Sequence, residues 1–370
     1  MEYHLFSTNV CNLSCIYCHE YKRLSLPAFV IDPKRVEVIY RRILAHHRSI
    51  KDSNIGFTWT GGDVLTIPLR RLKRFFGLQK RIFPNKYHIR NTIQTNLYNL
   101  TDDMLKWLKG QGNNFNIGVS FDFTGATRLT KDGKPSQRRV FRNMQRLRQN
   151  GLHFSIICVI TNHNIDLMDD IYEFMISNGI DFHFNPLRHC TIKNDPKFDI
   201  SPKKYARNLV RLIKRYALEK ETEINFGDAV AYSQAVLKGA SGGVPCTLSP
   251  KACGSDFMLI NERMDVYPCP ELEMDEFRIG NFGNVDLRGL WDKGHPVRKR
   301  LRKRLRDLKA GSCRKCIWRS ICGKGCASEA LRYGSFDEKV KMACEINKIV
   351  FRELTKFYKK HGLSTRVNFD

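Results

Sequence analysis

The chain has 370 residues, 42% hydrophobic and 27% charged, which suits one large domain plus a smaller one and excludes a disordered protein. No apolar run approaches the roughly 18 residues of a membrane helix. The start, Met-Glu-Tyr-His-Leu-Phe-Ser-Thr, reaches a cysteine motif by residue 11 with no room for a secretory signal, so a cytoplasmic protein is expected. Lysine and arginine number 63 against 37 acids, a formal charge of +26; this favours polyanions, acidic peptides or anionic cofactors as partners and says nothing about fold.

In chain order, a strand is predicted over 2–8, running directly into Cys11-Asn-Leu-Ser-Cys15-Ile-Tyr-Cys18. Further strands are predicted over 54–60, 87–95, 115–122, 153–160 and 181–187. They alternate with amphipathic helices near 33–49, 67–82, 102–111, 136–150, 166–178 and 203–219. Six βα units predict an α/β fold, either a partial barrel or an open parallel sheet, because a closed barrel needs eight. In both, ligands bind where strands end and the next loops begin. Gly239–Pro245 reads as a loop or linker. Beyond it cysteines are dense and apolar periodicity is weak, so metal rather than a large core is expected to hold that region together. A last helix is predicted over 337–361.

Thirteen cysteines in a chain without a signal point to metal rather than disulfides. Cys11, Cys15 and Cys18 put three thiolates within eight residues. A four-iron cluster takes four, so three leave one iron free for another ligand; a zinc site with a distant fourth ligand remains open on spacing alone. The spacing C-x3-C-x2-C with Tyr17 before the third cysteine resembles the signature of radical S-adenosylmethionine (SAM) enzymes. That resemblance implies a [4Fe-4S] cluster on Cys11, Cys15 and Cys18 that binds SAM and cleaves it to a 5′-deoxyadenosyl radical.

The same resemblance implies cofactor contacts on the following strand ends. Thr58-Trp59-Thr60-Gly61-Gly62-Asp63 stands where the family has Gly-Gly-Glu on the methionine amino group, with Asp63 one methylene shorter. The Gly61–Gly62 pair fits a close backbone approach to a ligand, or a tight turn. Gln94-Thr95-Asn96 places Gln94 and Asn96 at the expected mouth of the barrel. Ser120 and Arg128 would hold the ribose or carboxylate of SAM, the guanidinium fork matching a carboxylate.

Eight cysteines follow between 246 and 344. The block Cys313-x2-Cys316-x5-Cys322-x3-Cys326 resembles the SPASM domain found behind the barrel in peptide-modifying members. Val266-Tyr267-Pro268 before Cys269, Gly280-Asn281-Phe282-Gly283-Asn284-Val285 and Leu290-Trp291 extend the likeness over nearly the whole chain. It implies one auxiliary [4Fe-4S] cluster on Cys246, Cys253, Cys269 and Cys326 and a second on Cys313, Cys316, Cys322 and Cys344, three clusters in all. Spacing alone would pair Cys326 with its neighbours, and C-x2-C pairs also suit structural zinc. Met264 replaces a usual glycine, which bears on the local hairpin. Cys158 reads as packing and Cys190 as a free thiol.

The resemblance thus implies a partial (β/α)6 TIM barrel over 1–225, a bridging segment over 226–238, a cysteine-rich SPASM domain over 239–350, and a C-terminal helix and tail over 351–370. Two fully ligated clusters can take up the electron lost after hydrogen abstraction, so an overall oxidation is expected. Sulfatase-maturing members, which make formylglycine from Ser or Cys, carry an aspartate right after the third auxiliary cysteine. Here Pro270 follows Cys269, leaving Glu271 and Glu273 as candidate bases. The reading favoured on that ground is a peptide maturase that forms an oxidative carbon–carbon, cyclophane-like side-chain crosslink. Formylglycine formation is the alternative, and a non-catalytic zinc or nucleic-acid-binding protein the alternative of another class. Expected partners are a precursor peptide with an acidic leader, attracted by the Arg298–Arg306 segment, Arg70–Arg71 and Arg138–Arg139, and an electron donor such as flavodoxin or ferredoxin. Neither a membrane nor nucleic acid is expected.

Overall fold

The computed structural model describes residues 1–187, 196–219, 223–239, 246–249, 253–254, 257–284, 289–290, 292, 294–332 and 334–367, apart from the side chains of Lys22 and Cys246. Cys190, most of the Gly239–Pro245 loop, Val285 and Trp291 lie outside them. Strands and helices alternate as β1 Glu2–Thr8, α1 Pro33–Ile50, β2 Asn54–Gly61, α2 Leu69–Ile82, β3 His88–Thr95, α3 Asp102–Lys109, β4 Phe115–Ser120, α4 Gln137–Gln149, β5 Ser155–Ile160, α5 Met168–Ser177, β6 Asp181–Pro186 and α6 Pro202–Leu218. Then come α7 Gly227–Lys238, β7 Phe257–Ile260, β8 Asp265–Tyr267, β9 Gly280–Asn281, α8 Pro296–Ala310, α9 Ala327–Arg332 and α10 Lys341–Lys360. This is a mixed α/β fold with mostly parallel strand pairing.

Local sequence explains the elements. Helix α1 starts because the Asp32 side chain accepts from Lys34 N and Pro33 is already set for a first helical turn. It buries Val36, Ile39, Tyr40, Ile43, Leu44 and His47, a stripe at helical spacing. Strand β3 alternates, with Asn91, Ile93 and Thr95 buried and Thr92 and Gln94 half-buried on the other face. Asn91 is satisfied there, exchanging hydrogen bonds with Gln79 and accepting from Trp59 Nε1.

Two compact units make up the chain. The first comprises Met1–Phe121, Gly125–Ser155 and Asp256–Lys299. Its strands run β4-β3-β2-β1-β7-β8-β9; β1 to β4 pair in parallel, β7 adds in parallel to β1 with Glu2 beside Phe257, and β8 and β9 return antiparallel. Sequence reading assigned 257–281 to a C-terminal domain and missed this pairing with the first strand.

The second unit comprises Asp122–Thr124, Ile156–Ser255 and Arg300–Asp370. Helix α10 packs on α6 and α7. The expected bridging segment 226–238 is in fact helix α7, tied to α10 by Tyr232 Oη donating to Asn347 Oδ1 at 2.7 Å and by Tyr358 Oη donating to Ser233 Oγ at 2.5 Å. Alanines 229, 231 and 235 make much of its buried surface, so it shows little amphipathic contrast in sequence. Cys158 is fully buried on β5. No helix among the described residues is long and apolar enough to cross a membrane.

Candidate active site and metal centres

Past Thr8 the chain leaves the sheet and its backbone needs new partners. Asn9, buried, supplies them: Nδ2 donates to the carbonyls of Arg23 at 2.9 Å and Pro27 at 3.0 Å, while Oδ1 accepts from Phe29 N at 2.8 Å. Sequence reading missed this staple. Farther along, Ser14 N donates to Leu129 O at 2.7 Å and Ile16 N to Thr127 O at 3.1 Å. The cysteine loop is thus fixed at its root and its middle.

All three of its thiols are half-buried. Cys11 Sγ accepts from Leu13 N at 3.4 Å and Asn96 Nδ2 at 3.5 Å, and Arg128 reaches Cys15 Sγ at 3.9 Å. Burial pushes the Cys11 thiol up to about 11 and Cys18 to about 12. Metal coordination deprotonates a thiol outright, which works against the effect of burial on Cys11 and Cys18. Three half-buried sulfurs, each with a nitrogen donor, fit a cluster that leaves one iron open.

Glycines 61 and 62 act on the chain itself. Gly61 has φ 132, and an added Cβ would press on Thr8 O; at Gly62 it would press on Val10 O. Gly62 N donates to Thr8 O at 2.7 Å and Asp63 N to Val10 O at 2.8 Å. The close backbone approach expected for a ligand is therefore made by the root of the cysteine loop, against the end of β2.

Asp63 turns inward. It is 1% exposed and accepts from Leu65 N at 2.9 Å, Thr95 Oγ1 at 3.0 Å and Asn96 N at 2.6 Å. Burial pushes its carboxyl up to about 6, against those hydrogen bonds, which act downward. Three protein donors thus engage the side chain that the sequence resemblance assigns to the amino group of SAM. Its visible effect is to fix Asn96, whose Nδ2 also donates to Asn12 Oδ1 at 2.9 Å.

Gln94 and Ser120 come together on adjacent strands, with Gln94 Nε2 donating to Ser120 Oγ at 2.8 Å. Gly118 makes room, since a Cβ there would collide with Gln94 Oε1. Arg128 lies with its guanidinium carbon 5.4 Å from the Tyr17 ring centroid. Tyr17, Asn96 and Arg128 therefore sit in or against the cysteine loop, as do Gly61 and Gly62, while Gln94 and Ser120 form a separate polar pair on β3 and β4.

Of the candidate bases, Glu273 is committed to structure. It pairs with Arg23 and accepts from Asn261 Nδ2 at 2.9 Å. Glu271 is more open, 30% exposed in its side chain, with Oε1 4.0 Å from His19 Nε2.

In the second unit, Cys313, Cys316, Cys322 and Cys344 border one pocket with Lys324 and Asn347. Cys322 Sγ accepts from Lys324 N at 3.3 Å and from Asn347 Nδ2 at 3.7 Å. Four thiols with such donors suit an iron–sulfur cluster. Cys326 instead lines a neighbouring cavity of about 310 Å³ with Asp228, His183 and Glu329. Burial pushes the Asp228 carboxyl up to about 7. Cys253 is half-buried in this unit, and Cys269, half-buried in the first, precedes the turn Pro270–Leu272. Among the described residues no three His, Cys, Asp or Glu side chains are placed to hold a single metal ion.

The Radical SAM superfamily matches residues 5–175. These residues are a radical SAM domain. The chain is 29% identical over 305 residues to the serine-type anaerobic sulfatase-maturating enzyme of Bacteroides thetaiotaomicron, covering 75% of this chain and 71% of that one. It is 24% identical to the cysteine-type enzyme of Clostridium perfringens strain 13, over 85% of each chain. The solved structure of native anSMEcpe with bound AdoMet and Cp18Cys peptide superposes with a TM-score of 0.82 at 19% identity, over 98% of both chains. The radical SAM domain read from Cys11, Cys15 and Cys18 and the SPASM-type C-terminal region read from the later cysteines agree with these relationships.

Proposed function

We propose that this protein is a radical SAM enzyme that oxidises a serine or cysteine side chain of a protein or peptide substrate to formylglycine. The observation that carries the reading is the cysteine loop, with three half-buried thiols and Arg128 and Asn96 against its sulfurs, in a chain whose relatives of both the serine and cysteine type match over most of its length. The crosslink favoured on Pro270 is supported by these relationships only at the level of the family, so formylglycine formation becomes the better reading.

In this proposal Cys11, Cys15 and Cys18 hold the SAM-binding cluster. Cys313, Cys316, Cys322 and Cys344 hold one auxiliary cluster, and Cys246, Cys253, Cys269 and Cys326 the other. With SAM bound, the first cluster supplies a 5′-deoxyadenosyl radical able to take a hydrogen atom from a substrate carbon. Arg128 offers its guanidinium to the carboxylate of SAM, with Tyr17 behind it. Gln94 and Ser120 offer hydroxyl and amide groups to its ribose, and Asn96 orients Cys11. Gly61, Gly62 and Asp63 position the loop rather than the ligand. Glu271 is the candidate to accept the proton of the substrate hydroxyl or thiol, because Glu273 is held by Arg23. A small electron-carrier protein such as flavodoxin or ferredoxin supplies the reducing electron.

The test is anaerobic incubation of iron-reconstituted protein with SAM, dithionite and two sulfatase-type peptides, one with serine and one with cysteine at the target. Expected products are 5′-deoxyadenosine and an aldehyde trapped by a hydrazide, both abolished in Cys15→Ala. Release of 5′-deoxyadenosine with a peptide internally crosslinked and no aldehyde would restore the maturase reading.

A further inference from the structure

Between Cys322 and Cys326 the chain reads Gly323-Lys324-Gly325. Lys324 takes φ 66 and Gly325 φ 84. The second costs nothing, but the first puts a long side chain in a backbone region natural to glycine. That side chain is also buried, 5% exposed. Its Nζ donates to the carbonyls of Cys322 at 2.9 Å and Arg319 at 3.4 Å, and no carboxylate pairs with it among the described residues. A strained backbone and a desolvated ammonium are two separate expenses at one residue, and glycine would remove both.

Nearby negative charge can offset the second. Lys324 borders the pocket of Cys313, Cys316, Cys322 and Cys344, and its backbone N donates to Cys322 Sγ at 3.3 Å; burial acts against its charge, while the field of the Cys322, Cys313 and Cys316 sulfurs acts for it and Lys309 opposes. Lys339 and Lys348 also border this pocket, Lys348 from an exposed position, where water and salt screen it. Lys324 is the buried cation of the set.

We propose that Lys324 sets the reduction potential of the iron–sulfur cluster on Cys313, Cys316, Cys322 and Cys344, its ammonium favouring the reduced state. This rests on the reading that those four thiolates hold a cluster. Such a cluster is anionic when oxidised and gains one further negative charge on taking up one electron; no bond breaks and no proton moves. A fixed buried cation stabilises the more negative state more strongly, which raises the potential. The same cluster then becomes the easier place to deposit an electron taken from the substrate.

The experiment is an EPR-monitored redox titration of the full-length, anaerobically reconstituted protein, with the relevant signal assigned as the one lost in Cys344→Ser. Lys324→Gly, which relaxes the backbone and removes the charge, is expected to keep its iron. At fixed poise its reduced-to-oxidised ratio should fall about tenfold, 59 mV for a one-electron couple. Lys324→Arg should stay near wild type, and Lys348→Gln should move much less than Lys324→Gly. If Lys324→Gly loses iron, Lys324→Met replaces it. A neutral variant with wild-type iron and an unchanged titration overturns the proposal. Loss of the cluster from both neutral variants but not from Lys324→Arg also overturns it, leaving the lysine a structural role. A wild-type protein whose iron content and spectrum do not change in Cys344→Ser overturns the cluster reading, and the lysine proposal with it.

Discussion

Gly62→Ala separates two explanations of the glycine pair. If the pair admits a cofactor, the substitution weakens SAM binding and leaves the cofactor-free protein as stable as before. The structure predicts otherwise. The added Cβ would meet Val10 O, Val10 C and Asn9 C, all backbone atoms, so no side-chain rotation relieves the clash. Overpacking of this kind costs about 1–3 kcal/mol. Separating β2 from the loop root also stretches the bonds from Gly62 N to Thr8 O and from Asp63 N to Val10 O, at about 1 kcal/mol each. A total of about 3–5 kcal/mol corresponds to a melting temperature lower by roughly 10 °C in a unit of this size. Gly62 is the informative site because it has no positive φ, whereas Gly61 at φ 132 adds conformational strain. The assay is thermal and urea unfolding of the iron-free protein, followed by iron content after reconstitution. An iron-free Gly62→Ala melting within about 2 °C of wild type would refute the chain-to-chain reading.

Other consequences are as direct. Asp63 has a folded value of about 6, above its ordinary 3.8; the native state therefore keeps a proton that the unfolded chain has lost, and stability declines as pH rises from about 4 to about 6. The decline is at most about 3 kcal/mol, and Asp63→Asn should lack it; denaturation midpoints of the two proteins that run parallel across this window would contradict the assignment. Cys344→Ser and Cys313→Ser should each remove one cluster's iron, and the double variant no more than either alone; additive iron loss would mean that the two residues serve different centres. Met264 sits at φ 65 in the turn between β7 and β8, so Met264→Gly relieves about 1–2 kcal/mol of left-handed strain. Set against about 0.5–1 kcal/mol of added chain entropy, the expected change by urea unfolding is neutral to slightly stabilising.

Most of the first unit was legible because its signals are local. Strand β3 alternates, α1 repeats at helical spacing, and Asp32-Pro33 marks a helix start. The cysteine spacings named the chemistry directly. Partners brought together by the fold were not legible. Nothing near Asp63 reveals that Thr95 and Asn96 will engage its carboxylate from another strand, so an outward, ligand-facing role was the natural expectation. Strand β7 pairs with β1 from the other end of the chain, and no periodicity announces a partner. Helix α7, rich in alanine, buries itself with little amphipathic contrast. Lys324 reads as a surface lysine between glycines until its φ and burial are known.

The two cysteine-rich regions solve the same problem by different means. Around Cys11, Cys15 and Cys18 the scaffold is protein: Asn9, the glycine pair and the bonds to Thr127 and Leu129 hold the loop against a parallel sheet. All of these contacts are made between groups of the chain itself. Around Cys313, Cys316 and Cys322 regular structure shrinks to the short turn Ile317–Ser320, and helix α10 contributes Cys344. The buried Lys324 is balanced there where the sulfurs carry negative charge, as they would in the proposed cluster. Metal coordination would supply that charge, since it deprotonates a thiol outright. If Cys313, Cys316, Cys322 and Cys344 hold a cluster as proposed, iron contributes more to holding this region together than it does around Cys11, and Lys324 would tie that contribution to the oxidation state of the cluster.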